Sequence, residues 1–142
     1  MPTRQAEAVW EGDLKSGKGT IKGASGAINV PYSFGTRFEN APGTNPEELI
    51  GAAHAGCYSM ALAATLAGAG TTATRVHTTA QVTIDKVAEG FKITRIKLTC
   101  EATVPGLDDA AFQATALKVK SGCPVSGALA AVPIELEAKL IK

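Results

Sequence analysis

The chain has 142 residues, 45% of them hydrophobic and 5% aromatic, with 14 Lys and Arg against 13 Asp and Glu. That length fits one domain, 1–142, with a real core, and the apolar fraction excludes a disordered chain. A formal net charge of +1 leaves no electrostatic footprint for nucleic acid or for an anionic membrane surface.

The segment from Met1 to Val9 carries Arg4 and Glu7 and no apolar run, so no signal peptide is expected. Three cysteines cannot all pair within one chain, and none lies in a C-x-x-C, which speaks for a reducing, cytoplasmic setting rather than a secreted disulfide framework. Residues Gln5 to Glu11 alternate, with Ala6, Ala8 and Trp10 on one face, and Gly12-Asp13 breaks the strand. Glycine-rich breaks bracket a short segment around Thr20-Ile21-Lys22, and a further strand is predicted from Ile28 to Phe38, with Pro31 marking an edge or bulge.

A helix start is then well specified. Asn45 suits the N-cap, Pro46 the first helical position, and Glu48 the third position of a capping box. The helix is expected to reach about Leu66 and to end near Gly68 or Gly70. No charged side chain occurs from Leu49 to Thr74, a span long enough to cross a bilayer. It is rich in Ala, Gly and Thr and carries His54, Tyr58 and Ser59, so the expectation is a helix buried in a core, not a transmembrane one. Its small residues, Gly51, Ala52, Ala55, Gly56, Ser59 and Ala63, would admit a second helix at close range.

Beyond Gly70 the period changes to two. Val76, Thr78, Ala80, Val82 and Ile84 share one face, and Ala88-Glu89-Gly90 turns the chain. Phe91 to Val104 returns with Ile96, Leu98, Cys100, Ala102 and Val104 on one side. Asp108 caps a second helix to about Ser121, with Leu107 and Phe112 at hydrophobic-staple positions and Gly122 as C-cap. Cys123-Pro124 reopens a short helix to about Ala131, and Val132 to Ile141 forms a last strand. The reading is α+β: antiparallel sheets around two main helices.

Few residues here carry chemistry. Cys57 lies mid-helix, where it reads as a small core hydrophobe unless a cation from elsewhere in the fold holds its thiolate. Cys123 precedes a proline that can open a helix, so free N–H groups there can lower its pKa; an incidental loop cysteine is the alternative. Cys100 falls on the apolar face of a strand and reads as inert. His54 and Cys57 at i, i+3 could pair on a metal, and with Cys123 they make a conceivable donor set for a metal- or ligand-binding module. Glu48 has a capping task, whereas Glu47 has none. Arg37 reads as an ordinary surface cation.

Taken together, Trp10-Glu11-Gly12, Thr36-Arg37-Phe38, the run Gly43-Thr44-Asn45-Pro46-Glu47-Glu48-Leu49-Ile50-Gly51-Ala52-Ala53-His54-Ala55-Gly56-Cys57, and Gly122-Cys123-Pro124-Val125-Ser126 closely resemble the OsmC branch of the OsmC/Ohr family, over essentially the whole chain. The resemblance implies an intertwined homodimer with its active site at the subunit interface. It also implies a thiol peroxidase that reduces organic hydroperoxides, and more weakly hydrogen peroxide, in defence against oxidative stress. Carried over by motif, Cys57 matches the peroxidatic cysteine, Cys123 the resolving one, Arg37 the arginine that activates the thiolate and Glu47 the glutamate that positions that arginine. No bound cofactor is implied, only an external dithiol such as a lipoylated protein or dihydrolipoamide. Ten residues separate Glu47 from Cys57, roughly 15 Å along one helix, so a two-fold partner most simply supplies the glutamate.

Overall fold

The computed structural model describes all residues, 1–142, and divides into two compact units, Met1–Leu49 and Ile50–Lys142. In the first unit, β1 (Ala6–Glu11), β2 (Lys18–Gly23) and β3 (Asn29–Tyr32) form an antiparallel sheet in that order. Pro31, which has no N–H to give to a ladder, sits on the edge strand β3. Gly19 pairs with Trp10 on one side and Tyr32 on the other, and those two rings meet edge-on at 5.3 Å between centroids. A Cβ on Gly19 would lie 2.6 Å from Trp10 Cε3 and 2.5 Å from Tyr32 Cε1. Only glycine allows that closure.

The strand expected to reach Phe38 stops at Tyr32. Residues Phe34–Phe38 form a one-turn helix, α1, instead. The cause is local: the Ser33 hydroxyl accepts from the Thr36 N–H at 3.3 Å, and Thr36 Oγ1 accepts from the Ser33 N–H at 2.9 Å. This reciprocal cap satisfies donors that a ladder would otherwise take. The unit buries no apolar side chain fully; Val9, Leu14 and Ile28 are exposed.

Helix α2 (Pro46–Gly68) starts in the first unit and runs through the second. Asn45 caps it, its Oδ1 accepting from the Glu48 N–H at 2.8 Å, and its amide donates to the Thr36 carbonyl at 2.9 Å. The Glu48 carboxylate accepts from the Thr44 hydroxyl at 2.6 Å, so the expected return bond to the cap goes to a neighbour. At the far end Gly70, with φ at 90°, lets Thr71 N–H reach the Leu66 carbonyl at 2.9 Å while its own N–H bonds Ala67, a Schellman stop.

In the second unit, β4 (Arg75–Val87), β5 (Gly90–Thr103) and β6 (Ile134–Ile141) form a sheet in that order. The β4–β5 pair is antiparallel, but β6 runs parallel to β5, unlike the all-antiparallel expectation. The chain between them contains α3 (Asp109–Gly122) and α4 (Pro124–Ala128), long enough to return to the starting edge of the sheet, as a parallel pair requires. Asp108 caps α3 through the Ala111 N–H at 2.8 Å. Ile96, Leu98, Cys100 and Ala102 of β5 pack with Tyr58, Leu62 and Leu66 of α2 and with Phe112 and Val119 of α3. The Tyr58 hydroxyl donates to the Ala116 carbonyl at 2.9 Å and ties the two helices.

Helix α2 is a core helix on one face only. By length and composition it could span a membrane, yet only 28% of its most apolar stretch is buried. The buried face is the stripe His54, Tyr58, Leu62, Leu66, one residue every helical turn. The opposite face leaves Ala52, Ala53, Gly56, Met60 and Ala64 exposed, because small residues without charge are blind to whether a neighbour is present.

Within the stripe, burial pushes the His54 pKa below its ordinary 6.5. The unfolded chain then takes up a proton before the folded one, so this residue's contribution to stability is present above about pH 6.5 and lost as pH falls toward the depressed folded value. Urea unfolding of wild type and His54→Gln from neutral to mildly acidic pH checks this. The acid-side loss is expected in wild type and reduced in the variant.

Candidate active site

The core stripe of α2 places its neighbours too. Cys57 precedes Tyr58 and so stands at the margin of the buried face, half-buried. Gly122 closes α3, and the chain turns at Cys123, the N-cap of α4, with Pro124 in the first turn where its missing N–H costs nothing. Cys123 is 1% exposed. The two sulfurs lie 2.7 Å apart, 66 positions apart in sequence. Both are free thiols, separated by more than the ~2.05 Å of a disulfide bond yet in hydrogen-bond contact.

At that distance they share protons unequally. Burial, then the hydrogen bond with Cys123, push the Cys57 thiol up, with only the Val125 N–H opposing. Burial also works against a Cys123 thiolate, but the hydrogen bond with Cys57, the Ser126 N–H and hydroxyl, and the Val125 N–H outweigh it and lower that thiol. Within one chain the surrounding groups therefore favour a thiolate on Cys123 over one on Cys57. No cation is among the groups that act on Cys57.

In the first unit, α1 and the start of α2 bring Arg37 and Glu47 together. The guanidinium donates through Nε at 3.1 and 3.2 Å and through Nη2 at 2.8 Å to the Glu47 carboxylate. Glu47 is one of three buried polar residues, and the arginine side chain is 34% exposed. This two-pronged pairing fixes the plane of the guanidinium, and its Nη1 edge stays available to a further acceptor. The one-turn helix that displaces the expected strand is what aims Arg37 at Glu47. Beside Arg37 lies a cleft of about 340 Å³ lined by Trp10, Leu14, Tyr32, Phe34 and Phe38, and the Phe38 ring lies 5.2 Å beneath the guanidinium carbon. The sequence reading does not reach this cleft, since its residues come from two separate stretches, around Trp10–Leu14 and Tyr32–Phe38.

The remaining candidates part company with a metal site. No three His, Cys, Asp or Glu side chains gather as a donor set, so His54, Cys57 and Cys123 have no such arrangement behind them. His54 is fully buried, with Nε2 at 2.7 Å from Ser126 Oγ. Cys100 is fully buried in the core, and burial pushes its thiol up. The sequence reading assigns no task to Ser126, which stands three positions after the cysteine at the N-cap of α4 and is buried against His54.

The chain is similar to known proteins over most of its length. The family model described as OsmC-like protein matches residues 38–137. The chain is 55% identical over 129 residues to the protein named peroxiredoxin OsmC from Escherichia coli (strain K12), covering 90% of each. Among solved structures, an organic hydroperoxide resistance protein from Elizabethkingia anophelis aligns with a TM-score of 0.73 at 25% identity, over 99% of this chain and 96% of that one. An organic hydroperoxide resistance protein OsmC from Legionella pneumophila has a TM-score of 0.74 at 21% identity, over 100% and 98%, and shows the same fold. With two facing thiols, an arginine–glutamate fork and this match across most of its length, the chain belongs to the OsmC-like protein family.

Proposed function

We propose that this chain is a cysteine-based peroxidase that reduces organic hydroperoxides, and hydrogen peroxide more weakly, in defence against oxidative stress in the cytoplasm, with 1–142 acting as one domain. The observation that carries the reading is the 2.7 Å contact between a half-buried and a buried thiol. In the proposed cycle the Cys57 thiolate attacks the distal peroxide oxygen, the O–O bond breaks, and the alkoxide leaves and is protonated to the alcohol. Cys57 becomes a sulfenic acid. Cys123 then displaces its oxygen as water and closes the Cys57–Cys123 disulfide, and an external dithiol restores both thiols by exchange. The chemistry is cysteine-based and needs no prosthetic group; a lipoylated protein or dihydrolipoamide-type donor is the proposed reductant.

The proton assignment within one chain supports an active site shared between two. Burial and the neighbouring thiol disfavour the Cys57 thiolate there, so activation needs a cation brought to it. Arg37, fixed by Glu47, is that cation in our reading. It would favour the Cys57 thiolate and stabilise charge developing on the peroxide oxygens. Glu47 and Cys57 are ten residues apart on α2, about 15 Å along its axis, a gap that a glutamate side chain does not close. We therefore assign Arg37 and Glu47 to one subunit of a homodimer and Cys57 and Cys123 to the other. Two further features support a second copy: the exposed Ala, Gly and Met face of α2, and a three-stranded sheet whose unit buries no apolar side chain, since such surfaces are costly to leave in water. The aromatic cleft beside Arg37 favours an alkyl group over a water-sized substrate.

Three measurements test the proposal. With cumene hydroperoxide and a dithiol in steady state, Cys57→Ser is expected to lose turnover; sustained turnover would overturn the assignment. Arg37→Met is expected to lower kcat/KM by about 10²- to 10³-fold, the usual scale for losing one charge-stabilising donor, and Glu47→Gln by a smaller factor. An added Cβ at Gly56 meets nothing within 4 Å, so Gly56→Leu leaves the single chain undisturbed while obstructing a helix laid against it. Light scattering is expected to show a dimer for wild type and a monomer for this variant.

A further inference from the structure

Nothing in the proposed cycle accounts for a histidine in the middle of an apolar core. His54 stands in line with Tyr58, Leu62 and Leu66, fully buried, where a leucine would pack without polar cost. Its Nδ1 is buried and has no hydrogen-bond partner, an arrangement that costs free energy and is uncommon in folded proteins. Its one polar contact, 2.7 Å from Nε2 to Ser126 Oγ, crosses 72 positions of sequence. Ser126 is 4% exposed and occupies the third position of α4, of which Cys123 is the N-cap. In that turn the Ser126 hydroxyl and N–H are among the groups that favour the Cys123 thiolate. The groups therefore form a continuous line: His54, Ser126, Cys123, Cys57.

We propose that His54 and Ser126 are positioning residues that hold Cys123 as the attacking sulfur in disulfide closure and as the leaving sulfur in reduction. The proposal rests on the peroxidase reading above and deepens it. The directions of the bonds follow from what each atom can do. In the proposed relay the Ser126 hydroxyl donates toward the Cys123 sulfur, and its oxygen accepts from His54 Nε2 at 2.7 Å. The ring proton accordingly sits on Nε2, and the unpartnered Nδ1 is left with a bare lone pair rather than a stranded N–H. Two donors in series then face a sulfur that carries negative charge. The lowering of the Cys123 thiol by the Ser126 hydroxyl agrees with this order.

Both half-reactions use the same charge. In closure, the Cys123 thiolate attacks the sulfenic sulfur of Cys57. The S–S bond forms as the S–O bond breaks, and hydroxide leaves to be protonated by solvent; Cys123 is oxidised and the sulfenic sulfur reduced. In reduction, a thiolate of the external dithiol attacks Cys57, the more exposed sulfur. The disulfide electron pair goes to Cys123, which leaves as thiolate. The donor's second thiol then displaces Cys57 and closes the donor's own disulfide. Exchange is faster through the sulfur that is the better leaving group, so the relay fixes which sulfur the donor attacks.

The test separates the steps. Reduced protein is mixed with one equivalent of cumene hydroperoxide, and peroxide loss is followed apart from disulfide formation, the latter by trapping the sulfenic acid with dimedone and by mass. For Ser126→Ala and His54→Leu, closure is expected to slow by about tenfold or more, the scale of a hydrogen bond to a charged group. Peroxide loss is not slowed in either, because weakening the claim of Cys123 on the charge leaves more of it on Cys57. His54→Gln, whose amide can replace the Nε2 donor, is expected to restore closure to within about threefold of wild type. Wild-type closure rates in Ser126→Ala overturn the relay, as does a uniform slowing of both steps in all variants, which marks a packing role. If wild type itself forms no Cys57–Cys123 disulfide, the peroxidase reading fails and the relay with it.

Discussion

The contact between Cys57 and Cys123 is the constraint to which the other features answer. Two sulfurs at 2.7 Å cannot both be anionic, so whatever favours charge on one withholds it from the other. The turn at Cys123 supplies N–H and hydroxyl donors; mid-helix Cys57 has almost none of its own. That asymmetry favours charge on Cys123 over Cys57, so in the proposed cycle the attacking thiol depends on a cation. In our proposal that part falls to Arg37, whose guanidinium plane is fixed by the buried Glu47 carboxylate.

The fold serves this contact economically. One residue per turn of α2, from His54 to Leu66, is committed to the core it shares with β5 and α3, and this sets the rotation of the helix and so the depth of Cys57. The α3–α4 connection that returns the chain for the parallel strand β6 also carries Cys123 to the same place. The hydroxyl of Tyr58 on the α3 backbone and that of Ser126 on His54 tie the two cysteine-bearing segments together on either side of the sulfurs. The opposite face of α2 contributes nothing to this core, and its lack of charge suits it to lie against another helix.

Much of this was legible in the sequence because it depends on local chemistry. Asn45-Pro46 and Asp108 announce helix starts whatever surrounds them, Gly70 the stop, and the alternation in Val76–Ile84 and Ile96–Val104 the faces of two long strands. The N-cap position of Cys123 follows from the proline after it. What failed depends on competition or on distance. Phe34–Phe38 has strand-like composition, and only the Ser33–Thr36 cap tips it into a helical turn. The direction of β6 depends on where its crossover returns, which no local pattern encodes. A run of Ala and Gly describes an interface and a core equally well, so the sequence does not say which face of α2 the core takes. The His54–Ser126 bond spans 72 positions and had no signal beyond a polar residue in an apolar stripe.

The central claim is that two thiols titrate as one unit with the charge biased to Cys123. Thiolate absorbance in the ultraviolet, followed against pH in the reduced wild type, in Cys57→Ser and in Cys123→Ser, measures this directly. The account predicts one early and one delayed ionisation from the pair in wild type, the separation disappearing when either sulfur is removed, while Cys100 titrates late in all three. Two independent ionisations in the ordinary thiol range, unchanged by removing the neighbour, would contradict it.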